Sequence, residues 1–343
     1  MILIFLIALI LGNITVINSR DLTAEKTGLI RDGQTLLLNG QWDNAYALFV
    51  RYHRNDTTDP AGYLYRAAAL HAEMMDREEN MYGVKFEWLC DSTRLWAQRE
   101  LKSCTARDSA LYRLYVGHQY AYRALWESRF GSDLASLNFG IKARNQYLKG
   151  IEIDSTLYDI YLGLGNYHYW KSVKSGILKF AGIFKNEKKA GIREIMLAAD
   201  SSLFSSDASK SALIWIMINE KDYDSAIALC GELREKYPNG NSFVWPMAEA
   251  FYKSGQYDKA AENYDFLLSR FKKEPGNYYN LIEAAYWLSL SYEKMGQNKK
   301  ALGTVNYLRK VYKEIPPIVK RREKSKLAYL MNRYSRSSEK ASP

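Results

Sequence analysis

A chain of 343 residues with 47% hydrophobic and 14% aromatic residues, 7 prolines and 21 glycines carries too much packing surface for a disordered protein, and its formal net charge is +10. Three cysteines, Cys90, Cys104 and Cys230, are an odd number and do not make a disulfide framework. The four histidines, His53, His71, His118 and His168, have no i, i+4 pairing and no acidic neighbour at ligand spacing, so neither a metal nor another cofactor is expected.

Met1 to Leu11 is an apolar run too short to span a bilayer. Val16-Ile17-Asn18-Ser19 follows with an aliphatic and a small residue where a signal peptidase reads, so residues 1–19 predict a secretory signal cleaved after Ser19. No Lys or Arg precedes the run, which leaves a retained anchor or a short buried helix as alternatives. Export would place the chain in the periplasm or cell envelope and argues against nucleic acid as a partner.

Residues 20–105 read as N-terminal helical repeats. Leu29, Gly33 and Leu36 precede Gly40-Gln41-Trp42, and Ala45, Phe49 and Tyr52 follow at helical spacing. The loop Asn55 to Pro60 supplies caps for a helix from Ala61 to about Arg77. A helix from Glu87 to Lys102 would hold Cys90 and Cys104 roughly 21 Å apart, beyond the reach of about 7 Å that a disulfide allows. Three free thiols are expected, with Cys230 a small core residue.

Residues 106–205 keep helical periodicity through Tyr112 to Trp126, Leu134 to Ile151 and Leu157 to Trp170, in longer, irregular pairs. Gly163-Leu164-Gly165 is not a dinucleotide fingerprint, because His168 stands where a third Gly is needed and both flanks are helical. These glycines instead suit a close helix crossing. His118 and His168 read as structural. No nucleophile elbow, phosphate loop or Cys-x-x-Cys occurs.

Residues 206–317 contain the strongest pattern. Gly255-Gln256-Tyr257-Asp258-Lys259-Ala260 and Gly296-Gln297-Asn298-Lys299-Lys300-Ala301 repeat Gly40-Gln41-Trp42-Asp43-Asn44-Ala45, with a degenerate copy at Lys221-Asp222-Tyr223-Asp224-Ser225-Ala226. Each reads as a tight turn between antiparallel helices, with Gly left-handed at the end of helix A and Ala against its partner. The alanines at 226 and 260 lie one helix-turn-helix period apart. The next interval, to 301, is longer by about two helical turns, which would lengthen one helix without rotating its buried face. In this register Leu213, Met247 and Leu288 align, as do Cys230, Tyr264 and Val305, and Leu233, Leu267 and Leu308.

This block resembles the tetratricopeptide repeat family, departing at Ala248 and Ser289, which replace a small Gly of helix A, and at Asn298, where an aromatic is usual. The stretch Tyr158 to Trp170, with Gly182-Ile183-Phe184 and Lys188-Lys189-Ala190-Gly191-Ile192, is similar to exported bacterial repeat proteins related to the tetratricopeptide-repeat-39 type. The resemblance implies an all-α, right-handed superhelical solenoid of antiparallel helix pairs, acting as a non-enzymatic scaffold for a protein or peptide. It also implies a concave wall of A helices, with Trp215, Asn219, Trp245, Glu249, Tyr252, Tyr286, Leu290 and Glu293 facing the partner. Ala260 should then lie against its own helix A, while Tyr252 faces the groove.

Residues 318–343 form a basic terminal segment; from Lys320 to Pro343 eight basic residues oppose Glu323 and Glu339. A second reading is therefore an adaptor whose basic C-terminus docks on anionic lipid. A third is an enzyme with a pocket in the irregular middle, which a buried carboxylate or histidine pair would mark.

Overall fold

A computed structural model of the protein describes residues 23–174 and 186–333. The predicted signal at 1–19, the link within 175–185 and the tail at 334–343 lie outside the described residues. The first half holds α1 (Ala24–Leu38), α2 (Trp42–Asn55), α3 (Pro60–Arg77), α4 (Gly83–Glu100), α5 (Ala106–Phe130), α6 (Asp133–Ile153) and α7 (Asp159–Lys174). Then come α8 (Lys188–Ser201), α9 (Ser206–Asn219), α10 (Tyr223–Lys236), α11 (Val244–Lys253), α12 (Tyr257–Phe271), α13 (Tyr278–Lys294), α14 (Asn298–Val311), α15 (Pro317–Arg322) and α16 (Lys324–Arg333). No strand occurs among the described residues.

Local chemistry sets these boundaries. Thr23, Thr105, Ser132 and Asp222 accept hydrogen bonds from backbone amides in the first turns of α1, α5, α6 and α10. Asp59 does the same for α3, which opens on Pro60, one residue before the expected Ala61, because proline suits the first helical position. The recurring turn phrase is a left-handed stop: φ is +72° at Gly40, +84° at Gly255 and +71° at Gly296. The degenerate copy forces Lys221 to φ +66°, a conformation disfavoured for any residue with a Cβ. Lys221→Gly should therefore raise stability, by about 0.5–1 kcal/mol. Urea unfolding of the variant beside the parent checks the sign.

The added length between the last two phrases lies in one helix A: α13 has 17 residues where α11 has 10. Met247 and Leu288 stay buried, so the face is not rotated. Cys230, Tyr264 and Val305 are buried as aligned, and so are Leu233, Leu267 and Leu308. Ala226, Ala260 and Ala301 are fully buried where paired helices approach. All three cysteines are free; Cys90 lies inside α4 and Cys104 beyond its end.

From α1 to α14 each helix packs on the next, and odd-numbered helices also touch each other along the solenoid from α1 to α11. Helices on the inside of a curved array are the ones drawn together, so the odd helices line the inner side. The curvature is tight. Asn39 in the α1–α2 turn accepts from the backbone amide of Asn239 in the α10–α11 connection at 3.0 Å. One pair further on, the Asn280 side chain of α13 donates to the Asp76 carbonyl of α3 at 2.6 Å. The chain thus closes on itself after five helix pairs. Arg322 adds bonds from α15 to the carbonyl and carboxylate of Glu78.

Closure turns the N-terminal inner wall into core. From Pro60 to His71 every residue of α3 except Arg66 is buried, so this part of the helix is enclosed on every side. Tyr65 stacks on Phe49 and meets Tyr115 and Phe204 edge-on. Phe204 comes from the α8–α9 loop, which buried Asp159 anchors by accepting from the amides of Leu203, Phe204 and Ser205 and from the Ser205 hydroxyl. The central glycines act as expected: a Cβ on Gly165 would lie 2.6 Å from the Gly191 carbonyl, so α7 and α8 cross at backbone contact.

Candidate functional site

The predicted wall residues lie on α9, α11 and α13. Trp215 of α9 is 38% exposed, and Asn219 stands one turn further on the same face. Beneath them Asn219 donates to the Tyr169 hydroxyl at 2.6 Å, and Tyr169 donates to Glu220 at 2.6 Å. Lys188 of α8 bonds the same Glu220 carboxylate at 2.5 Å. Hydrogen bonds from Lys188 and then Tyr169 hold that carboxyl below its ordinary range. An indole thus stands beside a fixed acceptor and a paired charge, all anchored on helices rather than loops.

Farther along, aromatic side chains serve packing as well as lining. Trp245 is half-buried and stacks on Phe271 of α12 with ring centroids 5.9 Å apart. Glu249 pairs with Lys253 at 2.6 Å. Tyr252 is half-buried, with Tyr257 at 5.4 Å and Trp287 at 5.1 Å, so its ring also joins neighbouring repeats. Truncating Tyr252 therefore disturbs stability as well as the wall, contrary to a purely groove-facing side chain.

At the end of the wall α16 takes the place of a further A helix against α13 and α14. Tyr329 packs edge-on against Tyr286 and donates to Glu293 at 2.8 Å, and Arg333 approaches Glu293 at 3.4 Å. Burial and then Glu293 push the Tyr329 hydroxyl up to about 12. Leu290 is half-buried between these positions. Of the eight wall residues, Trp215 and Asn219 are the exposed ones, whereas Tyr286 and Glu293 are engaged by the chain's own last helix.

One surface was not singled out from the sequence. Met81, Val84 and Trp88 line an open depression of about 600 Å³ after the α3–α4 turn, with Val84 86% and Trp88 55% exposed. Its signal was apolar residues at outward positions of α4, which periodicity alone assigns to a buried face. A second cavity, of about 400 Å³, lies among Thr27, Arg107, Asp108, Asp154 and Leu203. Neither cavity is lined by a histidine or cysteine, and no metal-ligating cluster occurs among the described residues.

The histidines of the middle are packed into helix contacts. His168 bonds Glu194 across the α7–α8 crossing at 2.8 Å, and His118 bonds the Tyr147 hydroxyl at 2.8 Å. His71 sits between the rings of Phe86 and Tyr122, and burial pushes it down to about 4. The unfolded chain therefore takes up a proton below about 6.5 that folded His71 refuses. Its contribution is intact above that pH and is lost as pH falls toward 4, by about 3 kcal/mol in full. His71→Phe should flatten this part of the acid unfolding profile, read as thermal midpoint against pH.

Residues 212–240, covering the second half of α9, all of α10 and the turn after it, match the family described as tetratricopeptide repeat. A chain of the APC/C hetero-tetramer Cut9–Hcn1 overlays this one with TM-score 0.53 at 14% identity, over 88% of this chain and 52% of that one. The chain folds as a tetratricopeptide-repeat-like solenoid of helix pairs. It spans about half the length of that Cut9–Hcn1 chain, and the likeness is one of fold. The tetratricopeptide-repeat protein TTC0263 of Thermus thermophilus matches with TM-score 0.41 and 15% identity, over 66% of this chain and 98% of that one. The tetratricopeptide-repeat domain of P58(IPK) matches with TM-score 0.23 and 14% identity, over 90% and 89%. No curated protein matches the sequence. In this chain the solenoid closes after five pairs, through the Asn39–Asn239 and Asp76–Asn280 bonds.

Proposed function

We propose that this repeat solenoid is an exported, non-enzymatic scaffold that captures an extended or helical protein segment on the inner wall of α9, α11 and α13. The observation that carries the reading is the preformed pair Trp215 and Asn219, exposed on one helix face above the Tyr169–Glu220–Lys188 network. Exposed tryptophan beside oriented polar groups is the composition of interface hot spots. A preset wall also avoids the ordering cost of a flexible binding loop. Export rests on the apolar segment at 1–19 and on the resemblance of the central stretch to exported bacterial repeat proteins.

A photoreactive residue at position 215 in the native cell should give discrete protein adducts, and one at Glu232 on α10 should not. Trp215→Ala should weaken capture by about 2 kcal/mol with little change in melting temperature. Equal labelling from both positions, or unaltered capture by Trp215→Ala, would refute the wall as the binding site.

A further inference from the structure

Charge in this molecule is unevenly placed. Residues 294–333 hold twelve Lys and Arg against Glu314 and Glu323, a balance equal to the +10 of the whole chain, so the remaining residues together sum to zero. The structure then sorts these cations. Arg322 bonds Glu78, Lys326 bonds Glu283 and Glu323, and Arg333 reaches Glu293, so much of the terminal segment's charge is neutralised within the fold. Lys294, Lys299 and Lys300 lie around the α13–α14 turn, and another group of cations gathers at the end of α14, in the connection after it, on α15 and at the first residue of α16. Lys310, Lys313, Arg321 and Lys324 are exposed and form no ion pair among the described residues, and the half-buried Lys320 lies over the Tyr312 ring. Among them stand two apolar side chains facing water, Tyr312 at 40% and Ile318 at 57% exposure.

We infer that the α14–α15 face docks the solenoid on a bilayer surface rich in anionic phospholipid. The cations would lie at headgroup level, with Ile318 and Tyr312 entering the interface between them. Apolar side chains protruding from a helix end and a short helix suit a membrane surface, which needs no groove. Each Lys or Arg brought to an anionic surface strengthens binding several-fold, and an amphipathic ring and an aliphatic side chain at that depth add an interfacial anchor. No described helix is long and apolar enough to cross a membrane. This inference is independent of the inner-wall reading, because the two surfaces share no residue.

The test is sedimentation of the full chain with phosphatidylcholine vesicles, with and without phosphatidylserine. Expected is binding that requires phosphatidylserine and largely disappears at about 0.5 M salt, where screening is nearly complete. The triple variant Lys310→Glu/Lys313→Glu/Arg321→Glu should bind these vesicles at least about a hundredfold more weakly. Ile318→Ser should cost several-fold, and circular dichroism should be unchanged because the altered side chains are exposed. If the charge reversals impair folding, the corresponding Gln substitutions serve, with a smaller expected loss. Any binding through residues 1–19 would be equal on both vesicle types and drops out of their ratio. A ratio near one, or an unaltered ratio in the folded triple or Gln variant, overturns the inference. Tighter binding to soluble polyglutamate than to vesicles, indifferent to Ile318→Ser, would overturn it in favour of an acidic protein partner.

Discussion

Asp159→Ala should cost about 3–5 kcal/mol, because it strands several buried hydrogen-bond donors at about 1–3 kcal/mol each. The Asp159 side chain is fully buried and accepts from the amides of Leu203, Phe204 and Ser205 at 2.9, 3.1 and 2.9 Å, and from the Ser205 hydroxyl at 2.7 Å. Removing it strands buried backbone donors, which costs more than the net worth of the bonds. Asp159→Asn should cost less, because the oxygen facing Phe204 and Ser205 survives while an amide NH2 is turned toward the Leu203 N–H. The damage should be local at first. Phe204 would leave Tyr65, and Arg31 would lose the Leu203 carbonyl that its Nε now holds at 2.6 Å. Because a repeat solenoid melts by neighbouring units rather than in one step, hydrogen exchange at 202–206 is the sharper reading. Unchanged protection there in Asp159→Ala would refute the anchoring role.

Gly191→Val should cost about 3 kcal/mol, at the upper end of ordinary overpacking. Its first side-chain carbon would stand 2.6 Å from the Gly165 carbonyl and 2.8 Å from the Tyr169 amide. These are backbone atoms of α7, so relief requires the two helices to separate. Gly165→Ala probes the same crossing from the other side, and the double variant should cost less than the sum, since one separation relieves both clashes. The consequence reaches the inner wall, because Tyr169 carries the hydroxyl that Asn219 and Glu220 share. Gly191→Val should thus weaken partner capture without altering any wall residue. Calorimetry alongside a binding measurement checks both halves; a tolerated Val would mean the crossing is looser than these distances.

The inner wall shows how far a linear reading reaches. Helical spacing placed Trp215 and Asn219 on one face of α9, because residues four apart share a side whatever else the chain does. The same spacing placed Tyr286 and Glu293 on one face of α13, but it carried no sign that Tyr329, far along the chain, would take both. The basic segment divides in the same way. Its composition is plain in the sequence, yet only the fold pairs Arg322 with Glu78 and leaves Lys313 and Arg321 without an ion pair among the described residues.

By itself the sequence determined the helix pairs, the left-handed stops at Gly40, Gly255 and Gly296, the close crossing of glycine-bearing helices, and the lengthening of α13 by whole turns. Each of these is decided by neighbours a few residues apart, through backbone sterics and the period of the helix. The tertiary structure alone decided that the solenoid closes after five pairs, that most of α3 is buried, and that the last helix engages Tyr286 and Glu293. Closure depends on the small rotation between successive pairs, summed over the array. A modest change in each step would separate Asn39 from Asn239 and Asp76 from Asn280, and that sum is written in no local motif.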